Sequence, residues 1–179
     1  LTAIGAQDGD AVITVTDAAT VAQFNTIDGK TSSNVVLSGG ISDTAANLAP
    51  SGTASSGLTN ATTQDGDVAI TITGTNPTVA ELNKVASLTT GTVTATISET
   101  ISNLSSLSTA STDAITTTVT DAASVAQFNT LDAKTSVDIV LTGGVSDTAA
   151  AYASSGGTTT SGLTAIGAQD GDAVITVTD

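Results

Sequence analysis

The first seventeen residues of the chain return, letter for letter, 162 residues later. Leu1–Asp17 reads LTAIGAQDGDAVITVTD, and Leu163–Asp179 reads the same. Seventeen identical positions at one offset do not arise by chance, and self-similarity at a fixed period is typical of repeat architectures. We therefore expect one 162-residue period and the start of the next, within a window of a longer tandem array.

A shorter motif recurs three times within this period. It reads as a strand, a corner and a short helix, first at Asp10–Ser32 and again at Asp67–Thr89 and Ala114–Ser136. These copies divide the single segment 1–179 into sub-repeats at about 10–66, 67–113 and 114–171. Apolar residues at i, i+3 and i+6 predict one narrow apolar stripe on each helix. The stripes are Val21, Phe24 and Ile27, then Val79, Leu82 and Val85, then Val125, Phe128 and Leu131.

A second motif alternates with the first. Ile41–Leu48 matches Ile97–Leu104 and Val145–Tyr152. Strands are predicted before its three copies, at Asn34–Ser38, Thr92–Thr96 and Val137–Thr142. Side-chain oxygens near the expected helix starts predict the N-caps. These are Asp17, Asp121 and Asn76 (with Pro77 at the first helical position) for the first motif, and Ser42, Ser98 and Ser146 for the second.

The spacing of the two motifs predicts the fold class. Asp17 and Ile41 are 24 residues apart, and so are Asp121 and Val145. This length is within the range of leucine-rich-type coils, and a strand, a helix and a parallel strand form a right-handed crossover. The sequence thus predicts a repeat solenoid with a parallel β-sheet wall and short helices, a β/α solenoid of about 24 residues per rung. Six rungs would rise about 29 Å.

Two steps of the repeat are longer, at 33 and 34 residues. Their extra residues lie in Pro50–Gly66 and Ser154–Gly171, which are rich in Ser, Thr and Gly and are predicted to be protruding loops. Because side chains alternate along a strand, threonines are expected on the outer face of the sheet. They are Thr14, Thr16, Thr71, Thr73, Thr118 and Thr120. Such rows suit a solvent-facing ladder, and similar flat rows occur on ice-binding solenoids.

Composition excludes several classes of function. The chain has seventeen acidic residues, three lysines and no Arg or His, so its net charge is −14. Nucleic-acid binding requires a basic surface, anionic membranes repel this charge, and no apolar stretch has the length of a membrane span. Without His or Cys, the chain has no catalytic triad, thiol nucleophile or His-bound zinc. We therefore expect no enzymatic activity.

Calcium is the cofactor to which the acidic residues point. Asp-Gly-Asp occurs three times and places two carboxylates at one turn each time: Asp8 and Asp10, Asp65 and Asp67, and Asp170 and Asp172. Calcium takes six to eight oxygen ligands, so each pair would need carbonyls or a neighbouring rung as well. The alternative interpretation is a turn before a strand. The calcium β-roll pattern Gly-Gly-x-Gly-x-Asp is incomplete, because Gly39-Gly40-Ile-Ser-Asp43 lacks its third glycine.

The Ile41–Leu48 motif and its kin resemble repeats of very large bacterial cell-surface and secreted proteins, the haemolysin-type and adhesin-like tandem-repeat proteins. The Val-Thr-Asp-Ala-Ala-x-Val-Ala-Gln-Phe-Asn-Thr pattern at 15–26 and 119–130 is similar to units beside them. The resemblance implies an extracellular location on a bacterial surface and a long array.

These features predict an extracellular structural protein that forms a stalk, surface layer or filament by end-to-end stacking. Its partners would be copies of itself, either head to tail or within one long chain. The alternative is an adhesin that uses loops 50–66 and 154–171 to attach to a surface or polysaccharide. Neither function involves nucleic acid or membrane insertion.

Overall fold

The computed structural model describes residues 9–74 and 76–178, and the chain divides into two compact parts between Ala95 and Thr96. The first part contains strands β1 (Ile41–Thr44) and β2 (Ile70–Thr73) and helices α1 (Val21–Asp28), α2 (Ala45–Leu48), α3 (Ser56–Gln64) and α4 (Val79–Ala86). A short 3-10 helix spans Pro50–Gly52, and β3 (Val93–Glu99) crosses the division. The second part contains β4 (Ala114–Val119), β5 (Ile139–Leu141), β6 (Val145–Asp147), β7 (Ile175–Val177), α5 (Ile101–Leu104), α6 (Val125–Asp132), α7 (Ala149–Tyr152) and α8 (Ser161–Gln169).

Within each sheet, strands that follow one another in sequence are neighbours in space. β1 to β5 form a parallel sheet in chain order, and β6 and β7 form a second parallel pair. Ile41 pairs with Ile70, and Ile70 in turn pairs with Val93. Because helices connect most of these parallel strands, the chain is an α/β protein, which confirms the predicted parallel sheet with short helices.

Most residues of the predicted apolar stripes lie in the core, whereas Ile27 and Val79 are half-buried. Phe24, Leu82 and Phe128 are fully buried at the centres of α1, α4 and α6. Burial of one such side chain contributes about 2 kcal/mol. In β2, buried isoleucines alternate with exposed threonines, as strand geometry requires.

The predicted outer threonines lie as expected, with one exception. Five of the six are exposed and Thr118 is half-buried. Two valines interrupt the threonine face: Val140, which pairs with Thr118, and Val36, which pairs with Thr14. Both valines are more than 40 % exposed.

Strand lengths differ from the prediction. The strand predicted at Thr92–Thr96 continues to Glu99, and the one predicted at Val137–Thr142 is confined to Ile139–Leu141. At Asn34–Ser38 the structure has only an isolated bridge between Val36 and Thr14.

The predicted helix caps are wrong by two to three residues. Helix α1 begins at Val21 with Thr20 as its N-cap, not Asp17. Thr20 accepts from the backbone N–H of Gln23, whose side chain accepts from the Thr20 N–H in return. This reciprocal arrangement is a capping box. It gives side-chain acceptors to two backbone N–H groups at the start of the helix, whereas a single capping side chain typically satisfies one. Capping boxes also begin α4 and α6, whose N-caps are Thr78 and Ser124, not the predicted Asn76 and Asp121. The N-caps of the second motif are Thr44, Thr100 and Thr148, not the predicted Ser42, Ser98 and Ser146.

The two predicted loops are also wrong, because each contains a nine-residue helix. Helix α3 lies within Pro50–Gly66 and α8 lies within Ser154–Gly171. A Ser or Thr N-cap begins each helix, and Leu58 or Ile166 is buried beneath it. A glycine in the first turn lets each helix approach its neighbour closely. A Cβ on Gly57 would lie 2.1 Å from Val21 Cγ1 on α1.

Candidate functional site

The three Asp-Gly-Asp segments are the candidate sites, and two are described completely. Asp65 and Asp170 are the C-caps of α3 and α8, and the following Gly-Asp forms a turn. The N–H of Val68 donates to the carbonyl of Asp65 at 3.3 Å, and Ala173 donates to Asp170 at the same distance. Each of these two segments is therefore a turn that leads from a helix into a strand. Asp8 lies outside the described residues, and Asp10 and Asp67 are exposed in their turns.

The Asp65 carboxylate accepts a hydrogen bond from the backbone of the preceding rung, within the sub-repeat 10–66. The N–H of Leu37 donates to Asp65 Oδ2 at 2.7 Å, and the N–H of Val35 donates to Gln64 Oε1 at 2.7 Å. The Gln64 amide in turn donates to the Asp28 carboxylate. This Gln-Asp pair takes the place of a neighbouring strand, because its two oxygens meet alternate N–H groups as a ladder would.

The second compact part repeats this arrangement. The N–H of Leu141 donates to Asp170 Oδ2 at 2.5 Å, and the N–H of Ile139 donates to Gln169 Oε1 at 3.0 Å. Gln169 Nε2 donates to Asp132 Oδ1 at 2.7 Å. Sequence reasoning missed the two glutamines. Their signal was available, since Gln precedes Asp at 7–8, 64–65 and 169–170.

The carboxyl groups of Asp170 and Asp172 lie beside each other at the turn. The pKa of Asp170 is lowered, first by the hydrogen bond from the Leu141 N–H and then by one shared with Asp172. The pKa of Asp172 is raised, because its carboxyl group hydrogen-bonds to the Asp170 side chain and faces the charge of Asp170. The pair supplies adjacent carboxylates, as the calcium prediction requires. Within residues 9–74 and 76–178, no group of three or more acidic, His or Cys side chains is placed to hold a metal ion.

A second set of carboxylates accepts hydrogen bonds from helix starts one rung earlier. The N–H of Val21, the first residue of α1, donates to Asp43 Oδ2 at 3.1 Å. Val125 of α6 donates to Asp147 at 3.1 Å, and Ile101 of α5 donates to Asp121 at 2.6 Å. Negative charge is favourable at helix N-termini, which carry unpaired N–H groups. Asp121, predicted to cap its own helix, thus serves the preceding one.

Threonines after the longer helices make a third recurrent contact. The hydroxyl of Thr31 donates to the carbonyl of Ala11 at 2.6 Å, twenty residues earlier. Thr89 donates to Val68 at 2.6 Å, and Thr135 donates to Ile115 at 2.8 Å. In all three types of contact, a side chain of one strand–helix rung serves the backbone of an adjacent rung, within one sub-repeat in every case except Asp121 to Ile101. The carboxylates, amides and hydroxyls of the candidate site therefore hold adjacent rungs together.

Comparison with family models, with curated proteins and with solved structures found no match to this chain. Among the described helices, none combines the length and apolar character needed to cross a bilayer.

Proposed function

We propose that this chain is an extracellular structural repeat protein, in which β/α solenoid units stack end to end into a stalk, surface layer or filament. One observation carries the proposal. Each class of contact between repeats recurs at a similar spacing: carboxylate to helix start over 20 to 22 residues, threonine to carbonyl over 20 to 21, and Gln-Asp to strand over 28 to 30.

Contacts of this kind suit an array. Each rung satisfies its backbone groups partly with side chains of its neighbour, so a rung alone is incomplete. Stability in such proteins is the sum of repeat and interface terms, and it grows with the number of repeats. The exact 162-residue period supports the same reading, because a duplicated segment stays compatible with the neighbours of the original.

Composition and charge support a surface location. The chain lacks Cys, Met and Trp, which are side chains prone to oxidation. Its net charge of −14 keeps parallel arrays apart by repulsion unless divalent cations bridge them. The carboxylate pairs at the Asp-Gly-Asp turns are where such bridging would act.

Electron microscopy of the purified protein, with and without a calcium chelator, tests the proposal. We expect filaments with an axial repeat of about 29 Å. Loss of filaments on chelation, with recovery in calcium but not magnesium, would identify the turns as metal sites, whereas persistence would leave them as turns. Discrete compact particles under both conditions would contradict the structural role.

An adhesin is the second candidate, and one segment favours it. Most of the two predicted loops is helical, but Ser154–Thr159 is an exposed turn, closed by a bridge between Ala153 and Thr159. Replacement of residues 155–158 by a two-residue Asn-Gly turn would abolish binding to polysaccharide-coated surfaces if this turn is adhesive. Unchanged filaments with unchanged attachment would favour the purely structural role.

A further inference from the structure

The middle copy of the first motif departs from the other two copies just after its strand. Gly74 stands where the other copies have Asp17 and Asp121. The middle copy is also one residue longer here, since Val79 follows Thr73 by six positions whereas Val125 follows Thr120 by five. In repeat proteins, such insertions map to loops on one face, which is often the binding face.

The rung before this copy presents a smaller side chain than its counterpart does. Ala45, the first residue of α2, corresponds to Ile101, the first residue of α5. At the Ile101 joint the space is filled, because Ile101 is only 4 % exposed and its N–H donates to the Asp121 carboxylate at 2.6 Å. At the Ala45 joint both filling groups are smaller, since Gly74 has no side chain and alanine lacks the outer carbons of isoleucine.

An open cleft of about 360 Å³ lies at the Ala45 joint, between α2 and α4. Thr44 and Thr73, the last residues of β1 and β2, pair with each other in the sheet, and both line the cleft. Ligands of α/β sheets bind outside the carboxyl ends of the strands. The volume is at the small end of the usual range for ligand pockets, about 300 to 1,000 Å³.

The cleft does not result from an end of the chain. It lies within the first compact part, and rungs are described on both sides of it. Ala19 bridges to Ile41 of β1 on one side, and β3 pairs with β2 on the other.

The lining combines hydrogen-bonding groups with a small apolar surface. Its polar groups are two hydroxyls, one amide and one carboxylate, from Thr44, Thr73, Asn76 and Glu81. Its apolar surface includes Ala45 and Pro77, which are both buried.

Glu81 is a further departure of the middle copy, because the other copies have Gln23 and Gln127 at this position. All three side chains complete capping boxes, so the fold does not require the charge of Glu81. Glu81 Oε2 accepts from the N–H of Thr78 at 2.8 Å and from its hydroxyl at 3.0 Å. A carboxylate has about four acceptor sites, and Glu81 can therefore accept further bonds from a ligand.

We propose that this cleft binds one neutral sugar residue. Sugar hydroxyls both donate and accept, as the Thr and Asn side chains do, and the Glu81 carboxylate accepts from those that donate. The C–H groups of the ring pack against Pro77 and Ala45. Acidic ligands are repelled by Glu81 and by the net charge of −14, and one carboxylate falls short of the six to eight oxygen ligands of calcium.

The proposal goes beyond the structural function and does not depend on end-to-end stacking. It also places the carbohydrate at a different position from the exposed turn at Ser154–Thr159.

NMR titration of the 179-residue chain with glucose, galactose, mannose and N-acetylglucosamine, each in turn, tests the proposal. We expect at least one of these sugars to shift the amide signals of Thr73 and Glu81 in a saturable manner, with a dissociation constant in the millimolar range. Glucuronate and calcium chloride are the charged probes. If none of the four neutral sugars shifts these signals, or if only a charged probe does, the proposal is overturned.

Substitutions locate the bound sugar. Glu81→Gln restores the residue of the other copies and keeps the capping box, and it should weaken binding about tenfold. Ala45→Ile introduces the residue of the filled joint and should abolish binding. Thr73→Ala should weaken binding, whereas Thr71→Ala, which changes the same outward side of β2 away from the cleft, should not.

Circular dichroism verifies that each variant is folded. Unchanged affinity in both Glu81→Gln and Thr73→Ala would show that the sugar binds elsewhere and would overturn the site. The same chemistry is offered by a free sugar and by a residue of a polysaccharide. Tighter binding of an oligosaccharide than of its monomer would identify the polysaccharide, and equal binding would identify the free sugar; both results support the site.

Discussion

Strands β5 and β7 lie in the same compact part, and each is the edge of its sheet. They differ in what covers that edge. The outward N–H groups of Ile139 and Leu141 in β5 donate to Gln169 and Asp170, whereas no described strand or side chain takes the corresponding place at β7. Native proteins blunt sheet edges to prevent unwanted pairing. The comparison teaches that two side chains of one helix can close a sheet edge that no strand covers, as Gln169 and Asp170 do for β5.

Gly143→Ala should break the comparison most severely, because it displaces β5 itself. Gly143 follows β5, and a Cβ there would lie 2.1 Å from the backbone carbon of Asp121. Backbone cannot move aside as a side chain can, so we expect a loss of at least about 3 kcal/mol in unfolding free energy. Urea denaturation measures it. Gly156→Ala is the control, because its nearest neighbour is the Ser154 hydroxyl at 3.9 Å. Equal stability of the two variants would contradict the close packing.

Asp170→Ala should uncover the β5 edge and make it resemble β7. The Leu141 N–H loses a charged acceptor, which we expect to cost about 2 kcal/mol. Asp170→Asn keeps an oxygen in place and should recover about half of this. Denaturation gives the free energy, and amide hydrogen exchange at Leu141 gives the local effect. Unchanged exchange at Leu141 in Asp170→Ala would show that the carboxylate does not close the edge.

Two glycines of α8 should respond in opposite directions to alanine. A Cβ on Gly162 would lie 2.3 Å from Val125 Cγ1, whereas one on Gly167 would meet nothing within 4 Å. Gly162→Ala should push away the helix that carries Gln169 and Asp170, at a cost of about 1 to 2 kcal/mol. Gly167→Ala should stabilise by about 0.5 to 1 kcal/mol through helix propensity. Thermal denaturation compares them, and shifts of the same sign would contradict the contact between α8 and α6.

Substitution of Tyr152 should have the smallest effect, and it tests how β7 is held in place. Its hydroxyl donates to the carbonyl of Thr176 at 3.1 Å. Burial, and then the charge of Asp147, raise the pKa of Tyr152 above its ordinary value of 10.0. A raised pKa means that the stability due to the neutral phenol is complete below pH 10 and is lost as the pH rises through the folded-state pKa.

Spectrophotometric titration measures this pKa directly, because the chain has one Tyr and no Trp. The Tyr152→Phe variant should lose about 1 kcal/mol at neutral pH and show a weaker decline in stability above about pH 10. A phenol that titrates at its ordinary pKa would contradict its burial beside Asp147, and a Tyr152→Phe variant of unchanged stability would rule out the bond to Thr176.

Sequence patterns predicted the helices and strands of the repeated motifs more successfully than the contacts between them. Stripes such as Val125, Phe128 and Leu131 have the period of a helix, and alternation such as Ile70-Thr-Ile-Thr73 has the period of a strand, so both were recognised correctly. Helix α3 was missed, because Ser, Thr and Gly are typical of loops. It forms where Gly57 lets the helix pack closely against α1. Local pattern does not reveal that neighbour.

The candidate site was predicted only in part, for a related reason. The Asp-Gly-Asp turns were found, but the acceptor role of Asp65 and Asp170 depends on N–H groups 28 and 29 residues away. Cap positions failed because capping boxes such as that of Thr20 and Gln23 competed with a nearby carboxylate. Calcium binding at these turns stays a prediction.

The central claim is that each rung is completed by the rungs beside it, and unfolding as a function of array length tests it most directly. Equilibrium denaturation should be compared for the 179-residue chain and for chains that continue the same sequence through a second and a third 162-residue period. The account predicts that the denaturation midpoint rises with each added period and approaches a plateau. A midpoint that is independent of length would contradict it, because each period would then be a self-sufficient domain.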